Sequence, residues 1–211
     1  MEHFDFPLDV IGVSERTTCE EREFKKRKED LEKCVAYHGH VCMGQVLGVL
    51  LAEQGHKLLG NISSRDLIVI CENDRCISDA IQTLTNTRLG RRSFKLIDYG
   101  KMAVTFCNLK SGKSYRVWVS GDISKRGDYH SLTKEEQLKV LDHILSSKLE
   151  DVVSYKEVSV KFNENELPGK PKRVIWCAKC NEKVMDGKDV VVDGKILCKS
   201  CAYGGYYEEI K

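Results

Sequence analysis

Apolar residues near the start of the chain recur with the period of a helix that buries one face. The stripe comprises Phe24, Leu31, Val35 and His38. The opposite face, residues 25–29, is charged, as expected for the side of a helix that meets water. Thr18 and Glu21 have the spacing of a capping box, so a first helix is predicted to begin near Thr17 or Thr18.

Two more helices are predicted in the N-terminal half of the chain. One covers about Gly44–Gln54, with Gly55 as the residue that ends it. Small residues at every fourth position of this helix allow another backbone to approach closely; they are Gly44, Gly48 and Ala52. The other helix covers about Arg75–Thr87, and Asn73 or Asp74 is predicted to cap it.

Alternating or continuous apolar runs predict five strands. They cover residues 65–72, 93–99, 102–109, 114–120 and 154–162. A tight turn at 110–113 joins two of them, and a fourth helix over about Lys134–Leu149 opens with the capping-box pair Thr133 and Glu136. This order contains little β-α-β repetition, so an α+β fold is predicted rather than a doubly wound sheet.

The composition changes once along the chain. Residues 163–173 carry two of its three prolines, which is typical of a linker. We therefore predict an α+β domain over residues 1–162, a linker over 163–173 and a second, small domain over 174–211. A segment of about forty residues cannot bury a sufficient core by itself, so the small domain needs another source of stability.

Ten cysteines are the unusual feature of the composition. The acidic start of the chain is not a secretory signal, and the longest apolar runs are far shorter than the roughly 20 residues of a membrane span. We therefore expect a cytoplasmic protein with reduced thiols and no membrane association, in which clustered cysteines bind metal. The formal net charge of +2 provides no global basic surface for nucleic acid.

Four of the cysteines form two Cys-x-x-Cys pairs, Cys177 with Cys180 and Cys198 with Cys201. Two such pairs place four thiolates around one ion, which is the tetrahedral site of a zinc ribbon. A hairpin with an Asp-Gly turn is predicted between them. Because sulfur fills all four positions, this zinc is expected to be structural and to stabilise the small domain.

The ribbon also carries basic and aromatic side chains whose role the sequence leaves open. The aromatic ones are Trp176, Tyr203, Tyr206 and Tyr207. They could stack nucleic-acid bases, or pack on the ribbon or on a partner protein. Acidic residues offset the basic ones, which favours packing or protein contact and leaves nucleic-acid binding as the alternative.

A second candidate site lies in the segment His38–Cys42, between the first two helices. In an extended connector, residues i, i+2 and i+4 point to one side, so His38, His40 and Cys42 would face one cavity. Cys42 and Cys76 each stand at the predicted start of a helix, where the dipole favours thiolate. If the two helix starts converge, a His/Cys/Cys set with an open fourth position results, which is typical of catalytic zinc. The alternative is that the histidines are ordinary core or surface residues.

The other cysteines and histidines have weaker patterns. Cys71 and Cys107 lie in apolar strands and are expected to be buried. Cys19 and Cys34, on the first helix, are interpreted as structural. His130 is a candidate additional metal ligand from a loop.

Several short motifs follow one another along the first domain. They are His38-Gly-His-x-Cys42-x-Gly44, Glu72-Asn-Asp-x-Cys76, Asp79-Ala-Ile-Gln82, Asp98-Tyr-Gly-Lys101 and Thr105-Phe106-x-Asn108. Together, over about residues 14–162, they resemble the FmdE family, which is named for the E-type subunit of formylmethanofuran dehydrogenase. The Cys-x-x-Cys pairs resemble the zinc ribbon that many members append. One departure is Met43, where the family usually has proline.

The resemblance implies a mixed-sheet α+β domain, similar to the catalytic domain of glyceraldehyde-3-phosphate dehydrogenase, and a homodimer. It implies a metal site at His40, Cys42 and Cys76, with His38 nearby. It also implies a place beside the other subunits of a complex that, in methane-metabolising archaea, reduces carbon dioxide onto methanofuran. The chain has no run of closely spaced cysteines that suits an iron–sulfur cluster, so it would not be the redox subunit.

Three functions are compatible with these features. The first, which we favour, is a zinc-binding accessory subunit or stand-alone relative of that family, with an open His/Cys site and a structural ribbon. The second is a zinc-dependent enzyme of unknown substrate in which metal-bound water is the nucleophile and His38 or Asp74 is the base. The third is a zinc-ribbon regulator that binds nucleic acid or a protein partner.

Overall fold

The computed structural model of the chain describes residues 18–60, 62–120, 129–208 and 210. The chain divides into two compact units, Met1–Val160 and Lys161–Lys211. The side chains of Thr18 and Cys19 lie outside the described part, and so does the capping box predicted for the first helix. The domain limits that the sequence predicts, 1–162 for the first domain, 163–173 for the linker and 174–211 for the second domain, remain predictions.

The described part of the first unit contains five α-helices and a five-stranded sheet. The helices are α1 (Thr18–His38), α2 (Met43–Leu59), α3 (Ile77–Thr85), α4 (Lys134–Ser146) and α5 (Leu149–Val152). The strands are β1 (Leu67–Cys71), β2 (Phe94–Leu96), β3 (Ala103–Asn108), β4 (Ser114–Val119) and β5 (Val153–Val158). Their order in the sheet is β2-β1-β3-β4-β5. Only the β1–β2 pair in this sheet is parallel, so the sheet is mixed and the predicted α+β fold is confirmed.

The core lies between this sheet and the helices. All five residues of β1 are buried, as its continuous apolar sequence predicts. Pairing with β3 sets Val69 beside Phe106 and Cys71 beside Val104. Each buried side chain of this size stabilises the fold by about 1.5–3 kcal/mol. The sheet is therefore a firm base for the helix ends that carry the candidate site.

The predicted start of α4 is confirmed, and its predicted end is wrong. The Thr133 hydroxyl accepts a hydrogen bond from the Glu136 N–H at 3.3 Å, and the Glu136 carboxylate accepts one from the Thr133 N–H at 2.9 Å. This reciprocal pair satisfies two amides that the helix leaves unbonded. The helix ends at Ser146 rather than Leu149, which begins α5 instead.

Gly55 does not end α2, contrary to the prediction. The helix continues to Leu59, and Gly60, with a φ of 69°, follows it and donates its N–H to the carbonyl of His56 at 2.9 Å. Packing explains why position 55 is a glycine. A Cβ there would lie 2.6 Å from the ring of Phe106, so glycine is what lets the helix rest on β3.

The predicted cap of α3 is also wrong, because the N-cap residue is Cys76 and makes no side-chain cap bond. Asn73 shapes the preceding loop instead. Its side-chain oxygen accepts from the Arg75 N–H at 3.2 Å, and its amide donates to the Lys101 carbonyl at 2.8 Å. These bonds fix the loop that delivers Cys76 to the start of the helix.

The described part of the second unit contains a 3₁₀ turn (Glu164–Glu166), two hairpins and a short helix. The hairpins and the helix comprise β6 (Val174–Trp176), β7 (Lys183–Met185), β8 (Asp189–Val192), β9 (Lys195–Cys198) and α6 (Lys199–Tyr203). The predicted Asp-Gly turn joins β8 to β9. Asp193 and Gly194 have φ values of 48° and 73°, and two positive values in succession are those of a type I′ hairpin turn.

None of the described helices combines the length and the apolar content needed to cross a membrane.

Candidate metal centres

The four cysteines of the ribbon meet at the ends of its hairpins. Cys177 and Cys180 follow β6, Cys198 ends β9, and Cys201 lies in α6. All four sulfur atoms lie within 4.8 Å of one another, and Cys180 Sγ is 3.9 Å from Cys198 Sγ. Tetrahedral zinc, with Zn–S bonds of about 2.3 Å, separates its sulfur ligands by about 3.8 Å. The donor set and its spacing therefore fit structural zinc.

Hydrogen bonds prepare two of these thiols for metal. The backbone N–H groups of Cys180 and Cys198 lower the pKa of Cys177 to about 6. The Ser200 hydroxyl, followed by the Cys201 N–H, lowers the pKa of Cys198. The hydrogen bond to Cys198 in turn raises the pKa of Cys201 to about 12. Because thiolate is the form that binds metal, Cys177 presents ionised sulfur to zinc at neutral pH.

The second cluster is built where α1 ends and α2 begins. His38 is the last residue of α1, Gly39 turns the chain with a φ of 96°, and Cys42 is the N-cap of α2. The connector is thus a turn rather than the extended segment that the alternation of its residues suggests. One donor atom each of His38, His40 and Cys42 nevertheless lies within 4.8 Å of the other two.

A carboxylate outside the predicted set of site residues orients His38. Asp79 Oδ2 lies 2.8 Å from His38 Nδ1, and His38 Nε2 lies 4.0 Å from Cys42 Sγ. When the carboxylate accepts the Nδ1 proton, the lone pair of Nε2 faces the sulfur. This is the arrangement of many metal-binding histidines. Asp79 follows Cys76 by three residues in a helix, and that spacing is the signal that could have identified it.

Two glycines bring α2 against α3 and place Cys76 next to Cys42. A Cβ on Gly44 would lie 2.7 Å from the Cβ of Cys76, and a Cβ on Gly48 would lie 2.5 Å from the Cβ of Ala80. We call this contact the glycine seam. The two helix starts therefore converge. The sulfur of Cys76 is nevertheless not one of the donor atoms that meet within 4.8 Å of one another.

Gln45 ties the same two helices together. It is fully buried, and its Nε2 donates to the backbone carbonyl of Cys76 at 2.6 Å. Its Oε1 is buried and has no hydrogen-bond partner in the part of the chain that the structure describes. No sequence signal marks Gln45, since a glutamine in a helix is usually exposed.

The thiolate expected at the start of α2 is not the resting form of Cys42. Burial raises the pKa of the Cys42 thiol to about 11, although the N–H groups of Gln45 and Gly44 act against it. The neighbouring thiol of Cys76 raises the pKa further. A cation bound at this sulfur would therefore displace a proton, as metals do at thiols.

Two other sequence candidates lie outside these clusters. The Asp74 side chain is 64% exposed and lies 3.9 Å from Arg75. His130 lies in a short 3₁₀ turn, edge-on to the ring of Tyr129, with ring centroids 5.6 Å apart. Neither belongs to a group of converging donor atoms among the described residues. The described thiols interpreted as structural are all buried; they are Cys34, Cys71 and Cys107.

Sequence families match both units. Residues 37–160 match the family described as "FmdE, Molybdenum formylmethanofuran dehydrogenase operon". Residues 172–203 match the "Prokaryotic dksA/traR C4-type zinc finger". The second cluster falls inside the first match, and the four ribbon cysteines fall inside the second.

Two similar proteins add to these matches. A "Probable S-adenosyl-L-methionine-binding protein" of Archaeoglobus fulgidus is 27% identical over 198 residues, covering 81% of this chain and 51% of the relative. The chain thus spans about half the length of that relative. The crystal structure of a tungsten formylmethanofuran dehydrogenase FmdE-like protein from Syntrophus aciditrophicus aligns with a TM-score of 0.60 and 25% identity, covering 86% of this chain and 95% of that one. The fold, the four-sulfur cluster and the family matches agree: the chain belongs to the FmdE family, and its FmdE domain is followed by a C4-type zinc finger.

Proposed function

We propose that the FmdE domain binds a second metal ion, zinc or a similar divalent ion, through His38, His40 and Cys42, with Cys76 beside them. The observation that supports this most directly is the convergence of one donor atom from each of the first three residues within 4.8 Å. Imidazole nitrogen and thiolate sulfur form a donor set that zinc takes in proteins. The carboxylate of Asp79 behind His38 is a further feature of such sites.

The surroundings of the cluster favour a site that accepts an additional ligand. His40 is exposed, whereas Cys42 and Cys76 are half-buried, so a small molecule can approach from the side of His40. A bound ion would supply Lewis-acid polarisation to that molecule. The chain itself contributes the orientation of His38 through Asp79 and the partial exclusion of water around the two sulfur atoms.

The positions of the two candidate bases favour ligand binding over hydrolysis by metal-bound water. His38 has one ring nitrogen engaged by Asp79 and directs the other at the sulfur of Cys42. The Asp74 side chain is mostly exposed and next to Arg75. A general base must stand within hydrogen-bond reach of the proton it removes, and neither residue is free for that task beside the cluster.

We further propose that the protein serves one-carbon metabolism of the methanogenesis type as a non-redox accessory subunit or stand-alone relative, in the cytoplasm and as a homodimer. Membership of the FmdE family and the likeness to a solved FmdE-like protein support this context. Size-exclusion chromatography with light scattering tests the homodimer, and a monomer at micromolar concentration would contradict it. Copurification with other subunits of a formylmethanofuran dehydrogenase-like complex would support the accessory role over the stand-alone one.

Metal analysis of the full chain tests the second site. We expect two ions per chain, and we expect the Cys42→Ala/Cys76→Ala double variant to lose one of them and to keep the ribbon zinc. Cys107→Ala is the matched control, because it removes a buried thiol outside both clusters and should keep both ions. One ion per chain in the unmodified protein, or two in the double variant, would contradict the proposal.

A further inference from the structure

A groove beside the second cluster runs between the start of α2 and α4. Its volume is about 270 Å³, and its lining consists of Met43, Tyr129, Leu132, Lys139, Val140, His143 and Ile144. Binding pockets for small molecules usually begin at roughly 300 Å³. The groove is therefore the size of a small, compact ligand.

The groove begins one residue from the proposed metal site. Met43, which lines the groove, directly follows Cys42 in the chain, while the donor residues themselves lie outside the lining. Tyr129 lines the same groove and packs against the hydrophobic core from a half-buried position. A molecule bound to metal through one end would therefore extend along the groove.

Most residues that line the groove are apolar, and basic residues line one side of it. Met43, Val140 and Tyr129 pack against the hydrophobic core from their half-buried positions. Lys139 and His143 contribute the basic side from α4. Lys139 is paired with Glu135 one turn away, at 2.6 Å, and both side chains are more than 70% exposed. Such an exposed pair holds its partners weakly, so Lys139 is available to an anionic ligand.

We infer that the groove binds a short aliphatic carboxylate whose opposite end carries a metal-binding donor such as a thiol. The donor end lies at the cluster of His38, His40 and Cys42, the carbon chain lies on the apolar walls, and the carboxylate meets Lys139. This inference rests on the proposed second metal site.

Cobalt(II) substitution provides the test, with the full chain retaining zinc in its closed ribbon. A thiol that binds cobalt changes its visible absorption, and three thiols separate the contributions of the groove. 2-Mercaptoethanol contacts only the metal. 6-Mercaptohexanol also places a carbon chain on the apolar walls of the groove, and 6-mercaptohexanoate adds a carboxylate that can meet Lys139. We expect the longer alcohol to bind about tenfold more tightly than mercaptoethanol, because about half of its additional chain is buried in the open groove. We expect the carboxylate to add about threefold, as an exposed ion pair does.

Substitutions in the groove make the test specific. Val140→Trp should fill the groove and remove the advantage of both long thiols, while mercaptoethanol binds as before. Leu132→Trp fills the same space from a loop, and it replaces Val140→Trp in the test if that variant, which changes a helix, is unstable. Lys139→Gln should remove only the preference for the carboxylate over the alcohol, and Lys134→Gln, on the same helix but outside the groove, should keep that preference.

Three outcomes are decisive. Equal affinity for all three thiols, or long-thiol affinities that neither tryptophan variant changes, would overturn the groove while leaving the metal site intact. Cobalt that binds only in the ribbon would overturn the metal site and the groove together. The expected order of affinities, abolished by either tryptophan, would support both.

Discussion

The ribbon and the second cluster use similar donors but assemble them differently. The ribbon takes four sulfur atoms from two Cys-x-x-Cys turns in one small unit, and sulfur fills every position of a tetrahedral ion. The second cluster takes its donor atoms from the end of α1, the turn that follows it and the start of α2, with Asp79 of α3 behind His38, and it leaves His40 exposed. The ribbon cluster therefore depends on local spacing, whereas the second cluster also depends on how α3 packs against α1.

Both clusters contain sulfur atoms that must lose a proton before they bind metal. In the ribbon, backbone amides hold the pKa of Cys177 at about 6, so that sulfur is ionised at neutral pH, whereas the hydrogen bond to Cys198 raises the pKa of Cys201 to about 12. In the second cluster, burial raises the pKa of Cys42 to about 11. Releasing these protons costs free energy at neutral pH, so metal binding at both clusters should weaken as the pH falls.

The largest expected effect is the loss of the ribbon zinc. Cys177→Ser removes one of four ligands, and structural zinc sites contribute roughly 10 kcal/mol or more to the folding of small domains. We expect the ribbon to unfold while the FmdE domain, which has its own core, stays folded. Zinc content by mass spectrometry and amide NMR spectra would show this. Cys34→Ala, which alters a buried thiol outside both clusters, should retain the zinc; a folded, zinc-loaded Cys177→Ser ribbon would contradict the dependence on all four sulfur atoms.

A smaller effect is expected from adding one methyl group at the glycine seam. In Gly44→Ala the new Cβ would meet the Cβ of Cys76 at 2.7 Å, and neither atom can rotate away. Overpacking of this kind costs about 1–3 kcal/mol, of which the helix preference of alanine offsets part. We expect a lower melting temperature and weaker metal binding at the second cluster, with the ribbon zinc unchanged.

Gly48→Ala is the matched variant, because it strains the same seam against Ala80 without touching a ligand. It should lower the melting temperature similarly and weaken the second metal less than Gly44→Ala does. Equal loss of metal in the two variants would show that helix separation alone, and not the position of Cys76, controls the site.

Asp79→Asn should weaken the second site alone. The substitution removes the charge that holds the Nδ1 side of His38 at 2.8 Å, and the loss of such a partner lowers metal affinity by about 10- to 100-fold. Competition with a chromophoric chelator would measure it. Asp74→Asn is the control, since that carboxylate is mostly exposed; unchanged affinity in Asp79→Asn would remove His38 from the set of ligands.

The smallest effect is expected within the ribbon itself. Arg173 is bonded to Asp189 by two hydrogen bonds, of 3.1 and 2.7 Å; its own side chain is half exposed, whereas that of Asp189 is 8% exposed. An ion pair with an exposed cation contributes little to stability. Arg173→Ala should therefore leave the zinc content unchanged and make the ribbon only slightly easier to unfold with chelators. A ribbon that released zinc much more readily would show that its charged surface, and not the four sulfur atoms alone, holds it together.

Features that depend on neighbouring residues are the ones that the sequence predicts best. The capping box at Thr133 and the Asp193-Gly194 turn are confirmed because each requires only a few consecutive residues. The ribbon cysteines are identifiable for the same reason. The prediction for Gly55 is wrong because its small size serves Phe106, a residue of a distant strand, rather than the end of its own helix.

The second cluster is only half predictable. The sequence indicates the local trio of His38, His40 and Cys42, but the position of Cys76 depends on how two helices approach each other. The contact between Asp79 and His38 joins residues of α3 and α1 and depends on the same packing. The start of the helix does favour a thiolate at Cys42, because the N–H groups of Gln45 and Gly44 lower its pKa. Burial, which the sequence does not reveal, outweighs them and raises the pKa to about 11.

The glycine seam has a consequence for the unfolded chain as well as for the folded one. Since it brings the starts of α2 and α3 together, any bond that joined Cys42 to Cys76, through an ion or as a disulfide, would close the loop from residue 42 to residue 76. A closed loop of that length restricts the unfolded ensemble by roughly 4 kcal/mol. Because Gly44 and Gly48 lack side chains, α2 and α3 lie close enough for one cross-link to hold α2, β1 and α3 together.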